Sequence, residues 1–301
     1  MADRYWVGGT GTWSSTNTAN WSASSGGATG ASVPTASDNV FFDVNSNVGT
    51  GAFTCTMANT PRVCNDFTAS GLDGTMTLAG SGIGLTVSGS LTFPATNFTR
   101  TYTGTTTFNA TTTGKTVTTN GVAFGAGVTF NGVGGGWTLG SALTVPTGST
   151  TTTLTNGTLN LASYTLSTGL FNSSNSNTRT IAFGTGQISC TGTGTVWTTA
   201  TITGLTTTGT QVVNVTSAGS TAITVSTGAL SEANSISYNF TGGTYALTFL
   251  DVTNYSARSV NFTGYAGTLA ELSDPAAAPV IIYGDLTLSA GMTLTASTTG
   301  N

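Results

Sequence analysis

Thr75-Met76-Thr77-Leu78, Leu85-Thr86-Val87 and Leu91-Thr92-Phe93 follow one another between residues 75 and 93. Each sets threonine against an apolar neighbour in strict alternation. A period of two places alternate side chains on opposite faces of a strand, one buried and one wet. The strands are very short, because glycine and serine interrupt them at Gly80-Ser81-Gly82 and Ser88-Gly89-Ser90. The pattern recurs along the chain, as in Val128-Thr129-Phe130, Trp137-Thr138-Leu139, Leu143-Thr144-Val145, Leu159-Asn160-Leu161, Ile223-Thr224-Val225, Leu247-Thr248-Phe249 and Leu286-Thr287-Leu288. No helical period of useful length competes with it. The nearest, Thr268–Leu272, is stopped soon after by Pro275.

Many strands of a few residues with glycine and asparagine corners fit a sandwich, a barrel or a solenoid. The composition favours a parallel β-helix, an all-β solenoid. Of 301 residues, 69 are Thr and 42 are Gly. In a solenoid, stacked threonines form outward ladders, each methyl packing while each hydroxyl bonds its neighbour. Glycine and asparagine take the left-handed conformations that tight corners require. With rungs of roughly 20–25 residues, residues 46–301 are expected to form about a dozen irregular rungs.

Residues 1–45 read differently. They hold three of the five tryptophans, Trp6, Trp13 and Trp21, among glycine turns. The first rung of a solenoid exposes an open edge and an apolar lumen, so it needs a cover. The segment is expected to be a Trp-rich N-terminal cap, with the three indoles also candidates for a docking surface. Residues 271–279, Glu-Leu-Ser-Asp-Pro-Ala-Ala-Ala-Pro, read as a loop leaving the stack. The close at Thr298-Thr299-Gly300-Asn301 carries no cap signal, which suggests a longer parent protein or a covering partner.

The charge count excludes whole classes of chemistry. Lys and Arg total 6, Asp and Glu total 10, and there is no histidine. Without imidazole there is no Ser-His-Asp or Cys-His set and no histidine metal ligand. One lysine and five arginines make no phosphate-neutralising patch, so nucleic acid is not an expected partner. No run of about 18 apolar residues exists to insert in a membrane. Cys55, Cys64 and Cys190 are expected as small buried hydrophobes, a Cys55–Cys64 bridge being the alternative. No metal or cofactor set accompanies them. Gly80-Ser81-Gly82-Ile83-Gly84 looks like a phosphate loop only superficially, since no helix follows.

Arg4-Tyr5-Trp6-Val7-Gly8-Gly9-Thr10-Gly11-Thr12-Trp13, Asn20-Trp21-Ser22 and Val33–Asp43 form a recognisable opening. It resembles that of repetitive Thr/Gly-rich β-helix structural proteins of aquatic tailed bacteriophages. A looser form is similar to bacterial adhesin passenger regions. Gly169–Ile181, Val260–Leu269 and Ile282–Leu288 extend the likeness over most of the chain. The resemblance implies a virion fibre, spike or other appendage that contacts host surface, copies of itself and other virion proteins. It transfers no catalytic residues. The absence of a visible secretory signal agrees with release by lysis.

Two site expectations remain. A polysaccharide-cleaving tailspike needs paired carboxylates, and Asp251, Glu271 and Asp274 are the candidates about one rung apart. Corner residues bonding local backbone are the plainer reading of them, so the chain is expected not to be an enzyme. Five of eight tyrosines lie in the C-terminal third, and Tyr255 and Tyr265 are the candidates for contact with a host glycan, an internal aromatic column being the alternative. Thr-x-Thr pairs such as Thr116/Thr118 invite an ice-binding reading, against which their irregular spacing argues.

Overall fold

The computed structural model describes residues 1–47, 49–249, 255–271 and 280–295. It is all-β, 44% strand and 2% helical, with parallel coils stacked as a β-solenoid. The chain divides into two compact units, Met1–Thr144 and Val145–Asn301. Together they hold about 10 turns rather than a dozen.

In the first unit a coil is three short strands joined by corners. Phe53–Met57, Arg62–Cys64 and Phe67–Ala69 make one coil, and Met76–Ala79, Leu85–Val87 and Leu91–Thr92 the next. Phe98–Arg100, Thr106–Phe108 and Lys115–Thr118 follow. Each strand pairs in parallel with its counterpart one coil on. Leu85 lies on Thr106 and Thr106 on Val128, coils of 21 and 22 residues, while Leu91 lies on Val117 after 26. The variable length is taken up at corners, so the columns stay in register although the sequence spacing is irregular.

The alternation comes out as the triplets require. Leu85, Val87, Leu91 and Phe93 are fully buried. Between them Thr86, Thr107 and Thr129 align on one outer side, Thr68, Thr92 and Thr118 on a second, and Thr54, Thr77 and Thr99 on the third. Inside runs a chain of aromatic contacts. Phe42 meets Phe67 at 5.5 Å, Phe67 meets Phe93 at 5.6 Å, and Phe108 stacks on Phe130 at 5.0 Å before Trp137 at 5.3 Å. Burying each such ring stabilises the fold by about 1.5–3 kcal/mol.

Corner chemistry explains the glycine and asparagine content. Asn120 and Gly121 are consecutive left-handed residues at φ 48° and 88°, a conformation those two residue types tolerate best. The corner is pinned by Asn120 Nδ2 donating to the Phe93 carbonyl at 2.8 Å and Asn120 N donating to Ser141 Oγ at 3.0 Å. At Gly132 the constraint is space, since a Cβ there would lie 1.7 Å from the Ala110 carbonyl oxygen.

The second unit repeats the plan with longer coils. Thr165–Thr168, Leu170–Asn172 and Arg179–Ala182 form one coil and Gln187–Cys190, Gly194–Thr199 and Leu205–Thr208 the next. Trp197 lies on Val225 after 28 residues. Where a third strand is missing, the short 3-10 turn Glu232–Asn234 takes its side. Outside, Ser167, Ser189, Asn214, Asn239 and Asn261 form one column, in which Asn239 Nδ2 donates to Asn214 Oδ1 at 2.9 Å. Coils longer than 25 residues are why fewer turns fit than expected.

The Trp-rich segment closes the first unit. Asp3–Trp6 runs parallel to Asn39–Phe42 on one edge. On its other edge it meets Trp21–Ser22 in antiparallel pairing, Trp6 opposite Trp21. The antiparallel strand occupies the edge where a further parallel turn would stack. Trp6 and Trp21 meet edge-on at 5.1 Å, and Trp13 and Trp21 at 5.3 Å.

Candidate functional site

The tryptophans are cap and not docking surface. Trp6, Trp13 and Trp21 are each 0% exposed, so none offers a face to a partner. Their apolar rings are worth more inside the lumen than in water.

The C-terminal tyrosines are corrected likewise. Tyr255 and Tyr265 are 1% and 0% exposed, so neither side chain can meet a glycan. Tyr265 donates its hydroxyl to the Tyr245 carbonyl at 2.6 Å and its ring lies 5.0 Å from that of Tyr245. With Tyr238 they belong to an internal column that includes Phe240 and Phe249. Burial pushes the Tyr265 hydroxyl up to about 12.

The thiols are buried and unpaired: Cys55, Cys64 and Cys190 are free. Burial raises all three, Cys190 to about 12. A thiol held protonated is a poor nucleophile and a poor metal ligand.

The carboxylates serve local backbone. Asp38 accepts from Thr35 Oγ1 at 2.7 Å, Thr35 N at 3.0 Å and Ala2 N at 2.9 Å. Burial alone would raise this carboxyl, but those donors, with Arg4 nearby, hold it below its ordinary value. Asp43 caps the short 3-10 turn Val44–Ser46, and Asp66 accepts from Ser90 N at 2.7 Å. Of the proposed tailspike set, Asp251 and Asp274 lie outside the described residues, and Glu271 closes the strand Thr268–Glu271. Among the described residues no group of three or more acids and cysteines gathers for a metal ion. No helix there is long and apolar enough to cross a membrane.

The arginines are structural as well. All five donate to backbone carbonyls, Arg4 to Ser32, Arg62 to Thr60, Arg100 to Ala123, Arg179 to Thr203 and Arg258 to Ala233. The loop Gly80–Gly84 is a corner between strands, with Gly82 N donating to Thr103 Oγ1 at 2.8 Å.

What remains accessible is the outer side of the closed end. Trp6 and Phe42 point inward, so Tyr5 and Phe41, one residue before each, point outward. Their rings stack at 4.8 Å and 17°, and both are partly exposed. The column continues as Thr68, Thr92 and Thr118. Partial burial, Asp3 and Asp43 together raise the Tyr5 hydroxyl above its usual range. The residue after Asp43, Val44, opens a cleft of about 480 Å³ whose walls include Asn45, Asn47 and Asp73. Gly8, Gly26 and Gly27 present bare backbone there. Asn45 Nδ2 donates to Ser25 Oγ at 2.9 Å and Asn47 Nδ2 to the Gly51 carbonyl at 2.8 Å. Sequence reading by residue type missed Tyr5 and Phe41. Their signal was parity: in Arg4-Tyr5-Trp6 and Val40-Phe41-Phe42 only one aromatic of each pair can face the lumen.

Compared with known protein families, with curated proteins and with solved structures, the chain finds no match.

Proposed function

We propose that the chain is a non-enzymatic structural protein of a bacteriophage particle, a stiff module of a tail fibre, spike or other appendage. Its role is mechanical and adhesive. Continuous parallel ladders supply stiffness, and an uncharged hydroxyl surface resists salt and offers few sites to proteases. The observation that supports this best is the outer surface of the coils. It carries threonine columns on all three sides of the first unit, while thiols are buried and arginines are committed to corners. Such a surface suits contact with copies of itself, with other particle proteins and with neutral host-surface polymers. Mass spectrometry of purified particles tests the reading. The protein is expected among the particle proteins in stoichiometric amount. Recovery from the host envelope and not from particles would replace it with a bacterial surface adhesin.

A further inference from the structure

Deepening that adhesive reading, on which it rests, we propose that the cleft at the closed end binds an uncharged saccharide, with the Tyr5–Phe41 pair as its stacking shelf. Four observations converge on this ligand class. The cleft, about 480 Å³, is of the size that takes a small ligand. Its walls contain no Lys or Arg and one carboxylate, Asp73. A phosphate or acidic sugar would therefore meet a like charge and no counter-charge. The amide nitrogens of Asn45 and Asn47 are committed to Ser25 Oγ and the Gly51 carbonyl. That leaves the two amide oxygens and the Asp73 carboxylate as acceptors, which call for a ligand rich in hydroxyl donors. A pyranose presents such hydroxyls at its rim and C–H groups on its face. Tyr5 and Phe41, stacked and partly exposed, offer the matching flat apolar surface. Asp43 links the two features, acting on the Tyr5 hydroxyl and preceding Val44 in the cleft wall.

Saturation-transfer NMR on the full chain tests this with maltotriose, cellotriose and lactose, and with sialyllactose as the charged comparison. At least one neutral sugar is expected to receive saturation on its ring-face protons, in the presence or absence of EDTA. Tyr5→Ala should weaken that binding about tenfold, the scale of one aromatic stack, whereas Tyr5→Phe should retain it. Asp73→Ala should also weaken it; Asp73 lies on an exposed corner, so this variant keeps the test valid if Tyr5→Ala fails to fold. Silence from every neutral sugar, wild-type binding by folded Asp73→Ala, preference for sialyllactose, or loss of signal with EDTA would each overturn the assignment. The two proposals fail separately. A protein present in purified particles but silent to neutral sugars overturns the saccharide site alone. A sugar signal from a protein absent from particles overturns the appendage reading alone.

Discussion

Replacing Arg179 by methionine should cost the second unit about 3–5 kcal/mol. The residue is 1% exposed. Its Nε donates to the Ser173 carbonyl and Oγ, both at 2.9 Å, and Nη2 to the same carbonyl at 2.6 Å. Nη1 donates to the carbonyls of Asn177 at 2.9 Å and Thr203 at 2.8 Å, and Nη2 also reaches the Thr201 carbonyl. One guanidinium thus ties the corner Ser173–Thr178 to the corner one coil on. Methionine keeps much of the apolar stem but has no donor. The Ser173 carbonyl is buried, so losing its charged donor costs about 2–3 kcal/mol. The other three carbonyls lie nearer the surface and can recruit water, which limits their loss to about 0.5 kcal/mol each. Arg179→Lys keeps the charge but not the fork, and should fall between. Arg4→Met is the control, since its bonds to Ser32 and Asp3 are exposed, and should change stability by less than about 0.5 kcal/mol. Urea unfolding followed by circular dichroism reads all three. A midpoint for Arg179→Met equal to that of Arg4→Met would refute the claim that guanidinium-to-carbonyl bonds hold the corners.

Three further outcomes follow from the same geometry. Native protein should show no reaction of Cys55, Cys64 or Cys190 with a disulfide reagent at pH 8, and all three thiols should react in denaturant; rapid labelling of the folded chain would contradict their burial. Burial pushes the hydroxyls of Tyr102 and Tyr265 up to about 12, whereas unfolded tyrosine ionises near about 10. Stability should therefore be level up to pH 10 and fall between pH 10 and 12, where only the unfolded chain releases these protons; a urea midpoint unchanged at pH 11 would count against it. Gly132→Ala should lower the melting temperature sharply, because its Cβ meets the Ala110 carbonyl oxygen at 1.7 Å, while Gly242→Ala, with nothing within 4 Å, should leave it nearly unchanged.

Much of the architecture was legible in single triplets. Leu85-Thr86-Val87 states which residues are inside, and the structure buries Leu85 and Val87 and turns Thr86 out. Trp6, Trp13 and Trp21 announced a cap because so much apolar surface near one end has to be buried somewhere. Coil length was less legible, since a corner absorbs extra residues without changing the strands it joins; Trp197 to Val225 takes 28 residues and Leu85 to Thr106 takes 21. The site was misread where residue type replaced position. Tyr255 and Tyr265 suggested sugar contact by chemistry, but Tyr265 lies in a turn after Val260–Asn261, where alternation says nothing about facing. Tyr5 lies in a strand, and there the parity with Trp6 was available. The cleft was not legible, because Asn45, Asn47 and Asp73 come together only through the coil that returns the chain.

The most direct test of the account is to see where the protein resides. Val133, 75% exposed on the glycine-rich stretch Gly132–Gly136, marks a segment accessible to an antibody. Immunogold electron microscopy with an antibody against that segment should place label on an appendage of intact phage particles. Label on the bacterial surface of uninfected cells, with bare particles, would contradict the account.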